Sequence, residues 1–356
     1  MAAKAWYGWV FYMQDAKKDI RSMLLEELEE EFVLLGEPKY RAGQVFAWLH
    51  KAVGSFEEMT NLSKTLRETL IERFYIAAPT LISHLVSPTD GTVKFLWEFE
   101  VGATVETVVM KYAHGYSICV SSQVGCRMGC AFCSSTSGGL LRNLEPSEIL
   151  AQVLFSEAEL GIKVSNVVLM GIGEPLDNFD NVVRFLRLVN HPKGRGIGMR
   201  HITLSTCGLS EGIDKLGLLD LQLTLSVSLH APDDETRSKI MPINRRHGVD
   251  EVLRACWDYY RKTGRRVSIE YAMMDGVNDS EVQARNLARI AKELSAHVNL
   301  IPLNKVEGSA FEPSKNLKAF ARTLEDSGVN VTIRRSLGAD VDAACGQLRR
   351  RHGIEA

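Results

Sequence analysis

Asn166-Val167-Val168-Leu169-Met170-Gly171-Ile172-Gly173-Glu174-Pro175-Leu176-Asp177-Asn178 passes from a brief apolar run, through a glycine-rich turn, into a helical segment near 178–190. A short Val/Leu/Met run closed by Gly and Pro reads as a strand, and the longer segment after it reads as a helix. The same unit recurs on both sides. Strands are read at Ser117–Val120, His201–Ser205, Leu221–Ser228, Val267–Met273 and Val298–Leu303. Helices are read near 146–160, 210–217, 249–262, 280–294 and 313–327. Such alternation predicts a parallel sheet with right-handed crossovers. Six units are too few for a closed eight-fold barrel. The expected class is α/β, an open partial (β/α)6 barrel, with a doubly wound sheet as the alternative.

Upstream of that body the period changes twice. From Asp19 to about Tyr75, Leu24, Leu25, Leu28, Phe32 and Leu35 recur at helical steps, and Gly36-Glu37-Pro38 ends the first helix. Further helices follow around Gln44–Ala52 and Leu62–Phe74. Beyond residue 80, Val93, Phe95, Trp97 and Phe99 alternate with polar positions, as do Val105, Thr107 and Val109, with Asp90-Gly91 as a turn signal. The division expected is a poorly ordered leader over 1–12, a helical unit over 13–78, a short antiparallel element over 79–114, the barrel over 115–335 and a tail over 336–356. Met13 is as good a start as Met1.

Composition bounds the classes available. The chain has 356 residues, 45% hydrophobic and 24% charged, with a net charge of −2. That excludes collagen-like, mucin-like and wholly disordered chains, and no apolar stretch reaches the length of a membrane span. Seven cysteines are too few for a disulfide scaffold of this length. A reducing, cytoplasmic compartment is therefore expected, where clustered thiols bind metal or do chemistry. Near-neutral charge argues against blanket nucleic-acid binding and leaves local cations as candidates. These are Arg245-Arg246-His247, Arg334-Arg335, Arg349-Arg350-Arg351-His352, and Lys39 with Arg41 in the helical region.

In parallel α/β folds, ligands gather where the strands end. Those ends carry Cys126, Cys130 and Cys133, then Gly171–Pro175, Ser205-Thr206-Cys207-Gly208, Ser228-Leu229-His230 and Asn304. Three thiols within eight residues suit an iron–sulfur cluster or zinc. A structural zinc site needs a fourth ligand, and neither Cys119 nor His114 has a typical partner spacing. Three thiols without a fourth fit a four-iron cluster with one open iron, although spacing alone leaves zinc open. The glycine turn is neither a Rossmann fingerprint nor a P-loop. It can bring bare backbone close to a small polar ligand.

At these residues the chain resembles the radical S-adenosylmethionine enzymes, marked by Cys126-x3-Cys130-x2-Cys133. More narrowly it is similar to the radical-SAM RNA adenine methyltransferases of the RlmN/Cfr type. The matching stretches are Cys119–Cys126, Met170–Asn178, Ser226–Pro232, Asp342–Leu348 and Gly36–Arg41. The resemblance implies a [4Fe-4S] cluster on Cys126, Cys130 and Cys133. It implies S-adenosylmethionine contacts at Gly173, Glu174, Ser205, Ser228, Leu229, His230 and Asn304. It also implies covalent catalysis, because an aromatic C–H at an electron-poor adenine carbon is not nucleophilic. By the same resemblance, Cys345 would be the thiol that becomes methylated and, after radical activation of that methyl, crosslinks to the base. Cys119 would then attack the sulfur to release product, forming a disulfide with Cys345, and Glu106 matches the position of the proton acceptor.

The implied partners are 23S rRNA, tRNA and a flavodoxin-like electron donor; no membrane is implied, and a monomer is expected. The target base has to leave its stack to reach a deep site. Within the family, the Val124–Cys133 stretch and the helical region look closer to the C2-methylating branch than to the C8-methylating, antibiotic-resistance branch. A zinc-containing RNA-binding module is the rival from another class. Cys207 and Cys256 match no catalytic position and read as packing residues.

Overall fold

The structure, a computed structural model, describes residues 17–99, 102–304, 310–335 and 337–338. The leader and the stretch carrying Cys345 and Arg349–Arg351 lie outside the described residues. The N-terminal unit holds β1 (Lys18–Asp19), α1 (Leu25–Leu34), α2 (Lys39–Leu49), α3 (Lys64–Arg73) and β2 (Phe74–Tyr75), with β1 and β2 paired in parallel. Its apolar faces, among them Leu28, Phe32, Phe46 and Leu70, are buried. Buried Arg21 ties the unit together by donating to the backbone carbonyls of Leu49, Val53 and Ala77.

There follow β3 (Thr80–Val86), β4 (Val93–Glu98), β5 (Thr104–Tyr112), β6 (Gly115–Cys119), β7 (Gln123–Gly125) and β8 (Leu140–Asn143). The main body continues with α4 (Pro146–Leu160), β9 (Val164–Leu169), α5 (Phe179–Asn190), β10 (Ile202–Thr206), α6 (Ser210–Gly217) and β11 (Thr224–Ser228). It ends with α7 (Asp234–Ile240), α8 (Val249–Thr263), β12 (Ser268–Met273), α9 (Glu281–Glu293), β13 (His297–Pro302), α10 (Leu317–Asp326) and β14 (Val331–Ile333). One ten-stranded sheet runs β14-β13-β12-β11-β10-β9-β6-β5-β4-β3. From β6 to β14 every pairing is parallel, and from β6 to β3 every pairing is antiparallel.

The parallel strands follow chain order, so right-handed crossovers put every helix on the same face. The residues obey that geometry. Val167, Leu169, Ile202, Leu204, Leu225, Val227, Ile269, Tyr271, Val298 and Leu300 point into the core. The alternate positions include Ser205, Ser228, Glu270, Ala272 and Ile301, and these line a cavity. A parallel sheet covered on both faces by helices would read as continuous apolar runs. Here one phase is small or polar because it faces a ligand-sized space. This is the open partial barrel expected from sequence.

Four features differ from the sequence reading. A seventh parallel strand, β14, adds to the sheet edge; it is three residues long and largely exposed, so it carries no hydrophobic signal. Helix α7, capped by the Asp233 carboxylate accepting from the Thr236 amide, is too short to show a period. The antiparallel strands are not a separate element, since β5 pairs with β6 and extends the barrel sheet. Nor does β4 alternate between core and solvent. Val93, Phe95 and Trp97 are buried on one face, and Lys94 and Leu96 on the other. Among the described residues no helix is long and apolar enough to cross a membrane.

Candidate active site

The cysteine loop is a closed cassette. Strands β7 and β8 pair antiparallel at its base, and the Cys126 amide donates to Gly139 O at 2.7 Å. Gly125 sits at φ +79°, and a Cβ there would stand 2.0 Å from that same carbonyl. The Thr136 hydroxyl donates to Cys133 O at 2.9 Å, and the Ala131 amide pins the loop to Ile240 O. At the flank, Asp177 accepts from Gln123 Nε2 and from the Arg127 guanidinium. Cys126, Cys130 and Cys133 thereby share one cavity of about 350 Å³.

Burial pushes the Cys126 thiol up to about 12 and raises the Cys130 and Cys207 thiols as well. Such thiols stay protonated at neutral pH unless a ligand brings positive charge with it. Among the described residues, no group of three or more His, Cys, Asp or Glu side chains is arranged as the ligand set of a metal ion. A structural zinc centre gathers four ligands around one point. A four-iron cluster instead asks each thiolate for its own iron, and this donor set fits the cluster. The cavity wall fits a polar cofactor too: the hydroxyls of Ser134 and Ser135 line it, buried and without a hydrogen-bond partner.

Of the seven expected cofactor contacts, Gly173, Glu174, Ser205, Ser228, His230 and Asn304 line this cavity. Leu229 does not; its side chain packs in the core, so only its backbone can serve a ligand. Gly173, at φ +107°, has no room for a side chain, because a Cβ would lie 2.6 Å from Gln123 Cβ. Glu174 is buried, with Oε2 accepting from the Cys207 amide at 2.7 Å and Oε1 from the Leu176 amide at 3.0 Å. Burial raises its pKa, and those amides pull the other way. His230 has φ +58°, and its Nδ1 accepts from the Ala272 amide at 3.0 Å. Burial, then nearby Arg237, drive its pKa down to about 3. The ring is therefore neutral, with its hydrogen on Nε2.

Cys119 ends β6 on the same cavity, in an apolar cluster with Val108, Met110 and Leu337. It stands opposite Val108 on β5, which in turn stands opposite Lys94 on β4. Glu106 lies two residues from Val108, buried, with Lys94 Nζ 3.0 Å from its Oε2. Although it sits on a strand of alternating sequence, Glu106 is therefore not a solvent-facing acid. Leu337 closes the apolar wall beside Cys119, and the next amide, Gly338, donates to Asp90 Oδ2 at 2.7 Å. Despite a desolvation penalty, that bond and those from Thr92 and Ser87 hold the Asp90 carboxyl near 2. Arg334 and Arg335 line the mouth, whereas Arg245 and Arg246 are exposed elsewhere on the surface.

Sequence reasoning missed Glu270 and the Ser134–Ser135 hydroxyls, and it set Cys207 aside as packing although it lines the cavity. Glu270 had one signal: it falls in phase with Ser268 and Ala272, the small-residue face of its strand.

Residues 120–288 match the radical SAM superfamily, and residues 13–76 match the ribosomal RNA large subunit methyltransferase N-terminal domain. A probable dual-specificity RNA methyltransferase RlmN from Clostridium novyi (strain NT) is 49% identical over 338 residues, spanning 94% of this chain and 98% of the relative. Its counterpart from Alkaliphilus metalliredigens (strain QYMF) is 47% identical over the same share of this chain and 96% of its own. Among solved structures, a radical SAM methyltransferase from Sphaerobacter thermophilus superimposes with a TM-score of 0.88 at 40% identity, covering 93% of this chain and 98% of that one.

Proposed function

This chain belongs to the RlmN family of radical-SAM RNA methyltransferases, and from that premise we propose that it methylates C2 of one adenosine in 23S rRNA and of the adenosine beside the anticodon in some tRNAs. The observation that carries the reading is the meeting, at one cavity, of the thiol loop, Cys119 and the start of the tail. Cys126, Cys130 and Cys133 would hold the [4Fe-4S] cluster, and Gly173, Glu174, Ser205, Ser228, Leu229, His230 and Asn304 would hold S-adenosylmethionine. When bound, these cofactors supply a carbon-centred radical able to abstract hydrogen from an unactivated methyl group.

The rest falls to the chain itself. Cys345 carries the methyl group as a thioether and forms the bond to the adenine. It comes seven positions after Gly338, a span of at most about 25 Å, so a tail anchored at Asp90 can deliver it to the cavity. Glu106 takes the proton lost from the adenine carbon, with Lys94 holding its carboxylate. Cys119 attacks the Cys345 sulfur, and the resulting disulfide has to be reduced before another turnover. His230, neutral throughout the physiological range, offers an Nε2–H to the bound cofactor. Arg334 and Arg335 place cations at the mouth for phosphate groups. A flavodoxin-like donor and a monomeric, cytoplasmic enzyme complete the reading.

Nucleoside mass spectrometry after anaerobic reaction of the cluster-reconstituted protein with S-adenosylmethionine, reductant and unmodified RNA tests it. 2-Methyladenosine is expected. 8-Methyladenosine would move the chain to the resistance branch. Cofactor cleavage with no methylated base would remove the substrate assignment and leave the cofactor chemistry standing.

A further inference from the structure

Glu270 carries a buried carboxylate oxygen that nothing in the fold satisfies. The residue is 3% exposed and stands on the cavity face of β12, directly opposite Ser228 on β11. Its Oε1 accepts from Ser226 Oγ at 2.8 Å and from Asn299 Nδ2 at 2.9 Å. Its Oε2 is buried and accepts no hydrogen bond. Two dedicated donors thus fix the headgroup by one oxygen and leave the other unsatisfied, on a residue that lines a ligand-sized space. Leaving a carboxylate oxygen dry is costly, so the arrangement is made for an occupant that donates a hydrogen bond.

We propose that Glu270 is a further binding residue for S-adenosylmethionine, its Oε2 accepting from a ribose hydroxyl. The inference rests on the radical-SAM reading above. The donors of that cofactor are its ammonium, its two ribose hydroxyls and its adenine amino group. The ammonium belongs at the cluster end, where the thiol loop meets Glu174 after β9. Strand β12 lies three strands further across the sheet, about 14 Å at the usual spacing. That distance takes the nucleoside, not the methionyl end, to Glu270. The adenine in turn suits the apolar wall of Phe132, Ile301 and Leu303 at the rim of the cavity. Beside Glu270, the small side chains of Ser228 and Ala272 leave room for a sugar.

The test is an anaerobic equilibrium titration of the cluster-reconstituted full chain, without reductant so that no turnover occurs. The ligands are S-adenosylmethionine and its 2′-deoxy and 3′-deoxy analogues. In the unsubstituted protein, removing the contacted hydroxyl is expected to weaken binding about ten-fold, the scale of a hydrogen bond to a charged acceptor. In Glu270→Ala, S-adenosylmethionine itself weakens to a similar degree, and the ratio between parent and deoxy ligand falls toward one. Glu270→Gln keeps an acceptor for Ser226 and Asn299, which guards the fold, and its ratio should also shrink. If neither deoxy analogue binds more weakly than the parent, or if both variants keep the original ratio, the contact is overturned and the radical-SAM reading stands. If the cluster-loaded protein fails to bind S-adenosylmethionine at all, both fall.

Discussion

Lys94 and Glu106 face each other at 3.0 Å in a place where neither would be stable alone, the ammonium fully buried and the carboxylate nearly so. Removing one partner of such a pair typically costs about 3–5 kcal/mol, whereas replacing both with apolar groups is often near neutral. Lys94→Met is therefore expected to lower the urea midpoint strongly, and Lys94→Met/Glu106→Leu to recover much of the loss. A double variant no more stable than the single one would show the two groups uncoupled. His230 gives a prediction in pH. Its folded pKa, about 3, lies below the usual value for an unfolded chain, near 6.5. Below pH 6.5 the unfolded imidazole takes up a proton that the folded one refuses, so this residue makes stability fall as pH drops toward 3. His230→Gln should flatten the stability-against-pH curve in that window by up to one proton, about 1.4 kcal/mol per pH unit. At the thiols, Cys345→Ala is expected to abolish the protein–RNA crosslink and Cys119→Ala to trap it, both read as a shifted band on a denaturing gel. Normal turnover by Cys119→Ala would remove its assigned release step.

Elements were legible in the sequence where one face is apolar and long enough to show a period. The six principal parallel strands and the helices between them emerge from that signal, because Leu204, Leu225 or Val298 has to meet a helix layer. What stayed hidden is what several elements make together. Alternation in β4 suggests an outward face for Lys94, and only the pairing with β5, where Glu106 stands opposite Leu96 on that same face, brings the carboxylate diagonally to the Lys94 ammonium. Glu270 reads as a stray charge until Ser226 and Asn299 arrive from neighbouring strands. The thiol loop was visible by its spacing, but its closure was not: Gly125 is held within reach of Gly139 O by the β7–β8 pair. A methyl group at Gly125 would meet that carbonyl at 2.0 Å in a backbone conformation that L residues avoid. Gly125→Ala is therefore expected to reduce iron and acid-labile sulfide per chain and the visible absorption of the cluster, with far-UV circular dichroism nearly unchanged. Full cluster loading in that variant would show that the loop tolerates opening.

Across the whole molecule, the helical unit shares one apolar core with the barrel, and polar ties add to it. His50 Nε2 lies 3.2 Å from Leu188 O, the Arg184 guanidinium pairs with Glu27, and the Ser147 amide donates to Ser22 Oγ. At this junction a second groove runs past Lys39, Tyr40, Trp48 and Lys51 of the helical unit and reaches Lys193, which follows α5. Lys51 Nζ rests 4.1 Å above the Trp48 ring, and the Arg41 guanidinium 5.1 Å above Tyr40, whose ring is itself exposed. Cations beside open aromatic faces can hold phosphates and stack an unpaired base. An RNA that spans both units would touch this groove while its target base enters the cavity. Replacing Lys39, Lys51 and Lys193 together by Ala should then weaken RNA binding, and the slope of log affinity against log salt should fall by about two to three, the counterions of three phosphates. Affinity for S-adenosylmethionine should be unchanged, since none of the three lines the cavity. An unaltered salt slope would mean that RNA approaches the mouth past Arg334 and Arg335 without using the helical unit, and the groove would lose its assigned part in recognition.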